Sequence, residues 1–173
     1  PASLAMQLSA IYDDVELPAV QPSARGAFAH PDPEDILRYT VRDSGAEQKA
    51  LASLARFGVT GRHGADLSDI VGTREVMNFL GRAVPYLRRR GWRIEWGGRI
   101  RQRMDEAVFA TPVVHIDPEA GGDGWFDVRF DFDDGEGGSL SAVDIQRALR
   151  KGEAFVEHNG RTILLDAEAI QAL

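Results

Sequence analysis

The block of residues 125–165 constrains the fold more than any other part of the chain. It begins with WFDVRFDF, in which apolar and charged residues alternate as they do on a strand with one buried face. An acidic, Gly-rich turn follows, and then a short apolar-periodic segment with a cap signal at Ser141 and Asp144. Two short apolar runs then flank Asn159-Gly160, the strongest two-residue signal for a β-hairpin. This order predicts a strand, a helix and a C-terminal β-hairpin.

Upstream of this block, helical periodicity predicts two longer helices. Ser44 followed by Glu47 forms a capping box, in which each side chain satisfies a free amide of the other's backbone. Apolar residues at helical spacing behind it favour a helix over 45–57. A second apolar stripe favours a helix over 73–90. Asp166 can cap a short final helix.

Alternation of apolar and polar residues predicts the remaining strands. These are 4–12, 15–20, 92–96 and 108–116, with alternating arginines at 99–103 after a Gly-Gly turn. The Pro- and Gly-rich stretch 21–35 predicts a loop. We therefore expect an α+β fold in which two or three amphipathic helices pack on antiparallel strands. It forms one domain over 1–173, or two subdomains over 1–104 and 105–173.

The common signatures of catalysis and metal binding do not occur in the chain. Zero Cys excludes disulfides, thiolate metal sites and Cys nucleophiles. Neither Lys49 nor Lys151 lies in the Gly-rich loop that a Walker-type ATPase needs. The four His are isolated from one another in sequence, and the acidic turn 131–136 fails the spacing of a calcium-binding EF-hand loop. We expect no catalytic residue and no metal site.

Positive charge is concentrated in one segment of an acidic chain. The net charge is −7, yet between Arg82 and Arg103 eight Arg stand against the single acid Glu95. Such a basic segment can bind a polyanion. Trp92 and Trp96 within it can stack on unpaired bases. Packing of both Trp into a core, and neutralisation of a helix dipole by the arginines, are the competing explanations. The candidate DNA-binding residues are Arg88, Arg89, Arg90, Arg93, Arg99, Arg101 and Arg103.

Short pieces of sequence follow one another in a definite order along the chain. Upstream they are Tyr12, Val41-Arg42-Asp43, Glu47, Leu51, Leu54, Gly58, Phe79-Leu80, Pro85-Tyr86-Leu87 and Gly91-Trp92. In the closing block they are Trp125-Phe126-Asp127, Leu140, Ile145, Ala148-Leu149, Gly152, Phe155-Val156, Asn159-Gly160 and Leu164-Leu165. Their order and spacing together resemble the bacterial Swi/Snf helicase-associated domain, from about residue 3 to the end of the chain.

The resemblance implies a non-catalytic accessory region, N-terminal to the two-lobed motor of a bacterial Swi/Snf-type DNA-dependent ATPase or helicase. The motor is expected after Leu173, so ATP and Mg²⁺ are expected only there, and the family supplies no catalytic residue in this region. The expected partners are this motor and DNA. The chain lacks an initiating Met, a signal peptide and an apolar run long enough for a membrane span. We expect it to be processed or cut from a longer protein, cytoplasmic, and without a membrane partner.

Two other classes of function stay open. The net charge of −7 opposes non-specific DNA binding and favours a protein-interaction module with no direct DNA role. An independent hydrolase would need a deep pocket in which His115 or His158 meets convergent carboxylates.

Overall fold

The computed structural model describes residues 2–19, 29–117 and 127–172. The fold is α+β, with short helices and mostly antiparallel strands, as the sequence predicted. Contacts divide the chain into two compact units, Pro1–Val76 and Met77–Leu173. This division lies inside a helix and well before the boundary near residue 105 suggested by the sequence. Within the described ranges, no helix combines the length and apolar character that a membrane crossing requires.

Unit 1 (Pro1–Val76) consists of short strand pairs and one helix. Its elements are β1 (Ser3–Leu4), β2 (Ser9–Tyr12), β3 (Val15–Pro18), β4 (Ala29–Pro31), β5 (Tyr39–Val41), α1 (Ser44–Ala55), β6 (Gly61–His63), β7 (Asp66–Leu67) and β8 (Ile70–Val71). The antiparallel pairs are β1–β8, β2–β3, β4–β5 and β6–β7. The predicted strand 4–12 is therefore interrupted, whereas its hairpin partner is confirmed as far as Pro18. Residues 20–28, in the predicted strand end and loop, lie outside the described residues.

The start of α1 differs from the predicted capping box. Its N-cap is Asp43, whose Oδ1 accepts the Ala46 N–H at 2.8 Å. The side chain of Glu47 points inward instead. Its carboxylate accepts hydrogen bonds from Nε and Nη2 of Arg42, at 3.0 and 2.7 Å. The Tyr12 hydroxyl donates to the same carboxylate at 2.5 Å. This buried network ties the β2–β3 hairpin to the first turn of α1, and burial is the main reason why the pKa of Tyr12 is raised.

Helix α2 (Thr73–Arg89) supplies an apolar face to unit 2. Leu80, Ala83, Val84 and Leu87 on this face are all buried. The helix continues through Pro85, and Gly91 beyond its end has the left-handed φ of 79° that favours glycine.

Unit 2 (Met77–Leu173) adds two sheets and three further helices in the described residues. Its elements after α2 are α3 (Gly98–Asp105), β9 (Val108–Phe109), β10 (Thr111–Asp117), β11 (Asp127–Asp133), β12 (Ser139–Ser141), α4 (Ala142–Arg150), β13 (Phe155–His158), β14 (Arg161–Leu164) and α5 (Ala167–Gln171). The sheet orders are β10–β11–β12, all antiparallel, and β13–β14–β9, in which β14 and β9 are parallel.

The closing block of the sequence folds largely as predicted. Ser141 caps α4 by accepting the Asp144 N–H, and Asp166 caps α5. Asn159 and Gly160 have φ of 50° and 76°, which places the predicted hairpin turn between β13 and β14. The start of the first predicted strand, at Trp125 and Phe126, lies outside the described residues. The core of the unit is formed by Ala110, Phe132, Leu140, Ile145, Ala148, Ile163 and Leu165.

The prediction for residues 92–103 is wrong in its secondary structure. Residues 92–97 pair with no strand among the described residues, and the arginines at 99, 101 and 103 lie on helix α3. The alternation of apolar and polar residues still corresponds to burial. Trp92, Ile94 and Trp96 are half-buried, and the residues between them are exposed. On α3 the half-buried residues are Ile100 and Met104, whose spacing of four is helical.

Candidate nucleic-acid interface

The arginine-rich segment runs from the last turn of α2 to the end of α3. Arg88 and Arg89 end α2, Arg90 and Arg93 follow it, and Arg99, Arg101 and Arg103 lie on α3. All seven side chains are exposed. The half-buried Trp92 and Trp96 in the connection support the packing explanation for these two residues. The half-buried apolar residues of the segment thus pack against the protein, and its arginines are exposed to solvent.

Arg89 has a structural role within unit 2. It forms ion pairs with Asp166, the N-cap of α5, and with Glu168, to which its Nη2 donates at 2.7 Å. These hydrogen bonds, first the one to Asp166, raise the pKa of Arg89. Because its charge is already matched by two carboxylates, Arg89 is a poor candidate for a phosphate contact.

Three other arginines of the segment are partly engaged. The Arg90 guanidinium lies 3.7 Å from the ring centroid of Tyr86, a cation–π arrangement. Arg93 pairs with Glu95 at 2.9 Å, and both side chains are exposed. Arg101 Nε donates to the Trp96 carbonyl at 3.0 Å, which fastens α3 to the preceding connection. Each of these groups retains donors that an incoming phosphate can use.

The side chains of Arg88, Arg99 and Arg103 form no hydrogen bond or ion pair within the part of the chain that the structure describes. Arg99 and Arg103 are four residues apart on α3 and so lie on one face, about 6 Å apart along the axis. They are the arginines whose full hydrogen-bonding capacity faces solvent.

Comparisons with protein-family models, with curated proteins and with solved structures found no match. The resemblance to the Swi/Snf helicase-associated domain therefore rests on the sequence pieces quoted above. The structure of the arginine segment is the independent observation that bears on DNA contact.

The acidic turn 131–136 uses its carboxylates to hold its own backbone. Asp133 Oδ1 accepts the Gly135 N–H at 2.6 Å, and Asp134 Oδ1 accepts those of Glu136 and Gly138 at 3.0 and 2.8 Å. The hydrogen bond from Glu136 is the main reason why the pKa of Asp134 is lowered. The side chains of this Asp/Gly cluster therefore stabilise a turn, and Asp134 does so from a buried position.

The two histidines considered for a hydrolase each lie near one carboxylate. His158 Nε2 is 3.7 Å from Asp134, and His115 Nε2 is 3.7 Å from Asp131 on an exposed surface. The cavity beside His158 has a volume of about 40 Å³. Ligand pockets usually have volumes of about 300–1,000 Å³. The cavity can hold water but has no room for a substrate, so this arrangement does not favour the hydrolase.

Sequence reasoning missed the buried network of Tyr12, Arg42 and Glu47. Arg42 and Glu47 are five residues apart, a spacing that indicates no contact on a helix, and Tyr12 is distant in sequence. The only signal in the sequence was the presence of Arg42 and Glu47 close to a predicted helix. The predicted capping box already gave Glu47 a local role, so no partner for it was sought.

Proposed function

We propose that this chain is a non-catalytic accessory module of a Swi/Snf-type DNA-dependent ATPase, and that it contacts DNA through its arginine segment. The order of sequence motifs supports the first part of the proposal. The second part is carried by one observation: between residues 88 and 103, seven exposed arginines stand against the single acid Glu95.

The geometry ranks the arginines within this proposal. Arg88, Arg99 and Arg103 make the principal phosphate contacts, since no group in the described structure competes for them. Arg90, Arg93 and Arg101 contribute with their remaining donors, and Arg89 serves the fold. Contacts of this kind are made to the phosphate backbone and are independent of base sequence.

The remaining parts of the proposal follow from the same family resemblance. The module hydrolyses nothing itself, and ATP and Mg²⁺ bind in the motor of the parent protein. The motor and DNA are its partners. The cytoplasmic location in the proposal rests instead on the absence of Cys from the sequence.

DNA binding by the purified chain is the decisive experiment. Fluorescence anisotropy with labelled single- and double-stranded DNA, at low and moderate salt, should give an affinity that falls steeply with salt. The triple variant of Arg88, Arg99 and Arg103 to Ala should bind more weakly on every sequence. Its salt slope should be smaller by about 1 for each phosphate that the variant no longer neutralises.

A charge-matched control separates a specific effect from a change in net charge. Arg38, Arg62 and Arg147 are exposed arginines outside the segment. Their triple replacement by Ala should leave the affinity close to that of the wild type. An equal loss of affinity in both triple variants, or no binding at low salt, would contradict the DNA role. ATP hydrolysis by the purified chain would contradict the non-catalytic assignment.

The second candidate is a protein-interaction module with no direct DNA role. The observation that favours it is the net charge of −7, which repels a polyanion at long range. Absence of DNA binding at low salt, with an intact fold, is the result that would favour this candidate.

A further inference from the structure

Unit 2 contains an open groove of about 710 Å³. Its apolar lining comes from β11, α4 and α5, through Phe130, Phe132, Ala142, Ile145, Leu149 and Ile170. Phe132 and Ile145 belong to the buried core, and Leu149 and Ile170 pack against it. Phe130 is 37 % exposed. The groove is therefore a place where the core of the unit reaches solvent and can be extended by a further layer.

Among the described residues at the polar edge of the groove, one carries a charge. Gln146, Arg150 and Gln171 complete the lining. Arg150 is exposed, and its Nε donates to the Gln146 carbonyl at 3.3 Å. No carboxylate pairs with Arg150 in the described structure, whereas its neighbour Arg147 is paired with Asp144 at 2.7 Å. A ligand that covers the groove would contact an apolar floor and one cation that has no carboxylate partner in the described structure.

The surroundings of the groove decide what kind of occupant fits. Strand β11 is hydrogen-bonded to β10 along its whole length and to β12 at Asp131–Asp133, so only residues 127–130 lack a second partner strand in the described structure. An open edge of this length is short for the pairing of an extended peptide, since strands usually have about five or six residues. A nucleic acid would need several cations for its phosphates, and among the described residues of the lining only Arg150 is a cation. An amphipathic helix places residues i, i+3 or i+4, and i+7 in such a groove, and keeps its own backbone satisfied.

We propose that this groove binds an amphipathic helix of a partner protein, with a carboxylate at the edge of the apolar face opposite Arg150. The apolar residues of that helix lie against Phe130, Leu149 and Ile170. The carboxylate neutralises Arg150. This ion pair fixes the orientation of the bound helix and favours helices that have an acidic residue at this position. The proposal is independent of DNA contact, which uses other residues of the unit.

Selection from a displayed library of random peptides, which can yield helical or extended binders, tests the proposal on the intact chain. The selected peptides should carry apolar residues at i, i+3 or i+4, and i+7, with Asp or Glu beside them. Phe130→Asp should weaken their binding by at least about tenfold, since it places a charge in the apolar floor. Val143→Asp is the matched control, because Val143 lies on α4 outside the groove and is 58 % exposed.

Exchange of charge provides the second test and does not depend on Phe130. The variant Arg150→Glu changes an exposed side chain, so its fold should be retained, as circular dichroism can verify. It should bind a selected peptide more weakly, and bind the same peptide with Lys in place of the carboxylate more tightly than the wild type does. Failure to select helical peptides, selection of extended peptides, or affinities unchanged by Arg150→Glu would overturn the proposal.

Discussion

At the scale of single residues, the most consequential feature of unit 1 is the buried ion pair between Arg42 and Glu47. Their side chains are 6 % and 10 % exposed, and a buried charge costs several kcal/mol unless it is paired and hydrogen-bonded. Arg42 meets this condition with hydrogen bonds to Glu47 and to the Pro18 carbonyl at 2.7 Å. Glu47 also accepts the Tyr12 hydroxyl. Each member of the network is therefore satisfied only while the others are present.

We expect Glu47→Gln to lower the free energy of unfolding by about 3–5 kcal/mol, because Arg42 would keep a buried charge without its counter-charge. Asp69→Asn is the control within the same unit. It removes the partner of Arg62 from a pair whose side chains are 59 % and 39 % exposed. The control should cost less than about 1 kcal/mol. Urea unfolding followed by circular dichroism measures both, and similar losses of stability would contradict the assigned burial.

Asp134 makes stability depend on pH in the acid range. Its pKa is lowered chiefly by the hydrogen bond from the Glu136 N–H, against the opposing effect of burial, and also by the Gly138 N–H and by His158. The folded protein binds this proton less tightly than the unfolded chain. The resulting stabilisation is present above the usual Asp pKa of about 3.9, and it is lost as the pH falls through the lower folded value.

Replacement of Asp134 by Asn should reveal this dependence, because the amide oxygen can still accept both N–H groups. We expect the variant to be less stable than the wild type near neutral pH. The two should converge below the usual Asp pKa of about 3.9. Urea unfolding at a series of pH values measures the difference, and a difference that stays constant across the series would show that charge has no part in it.

At the scale of elements, periodicity predicted helices well where a single face is buried. Helices α1, α2 and α4 and the β13–β14 hairpin were found from local pattern and turn chemistry alone. Residues 92–96 were misassigned because the same alternation arises when an unpaired connection buries every second side chain. The alternating arginines at 99, 101 and 103 belong to helix α3 instead. Local signals also could not locate the buried Glu47 or the apolar groove. Both depend on which elements meet in three dimensions.

At Gly81, helix α2 lies close to Ala154 and Leu165, the residues that flank the C-terminal hairpin. A Cβ at this position would lie 2.9 Å from the Ala154 Cβ and 3.0 Å from the Leu165 carbonyl oxygen. The same Cβ would also clash with the Ala154 carbonyl oxygen, which accepts the Leu165 N–H at 2.8 Å. Relief of the clash therefore requires both hydrogen-bonded backbone segments to shift together, or this bond to break. The absence of a side chain at Gly81 is therefore what permits this packing.

We expect Gly81→Ala to destabilise the protein by about 1–3 kcal/mol through overpacking, despite the better helix propensity of Ala. Gly45→Ala in α1 is the matched control. There a Cβ would meet only Oδ1 of the N-cap Asp43, at 3.3 Å, so a side chain rather than a backbone segment would have to shift, by about a few tenths of an ångström. Thermal unfolding compares the two variants. A Gly81→Ala protein at least as stable as Gly45→Ala would mean that the helix and hairpin lie further apart than these distances state.

At the scale of the whole molecule, charge and core are divided between two units. Residues 1–71 have six Lys or Arg against ten Asp or Glu, a net charge of −4. Residues 72–173 have a net charge of −3 and contain all seven candidate arginines. They also contain a complete core cluster and the whole of α2. The core cluster, the arginines proposed to contact DNA and the apolar groove therefore all lie in one continuous stretch of chain.

We expect a fragment of residues 72–173 to unfold cooperatively, because its core requires no residue of the first 71. It should also bind DNA at least as tightly as the whole chain, since removal of residues 1–71 removes a net charge of −4 that repels the phosphates. Circular dichroism measures the first property, and fluorescence anisotropy with the same duplex measures the second. A folded fragment that binds about tenfold more weakly would place part of the contact in unit 1. A fragment without a cooperative transition would mean that unit 2 depends on unit 1 for its fold.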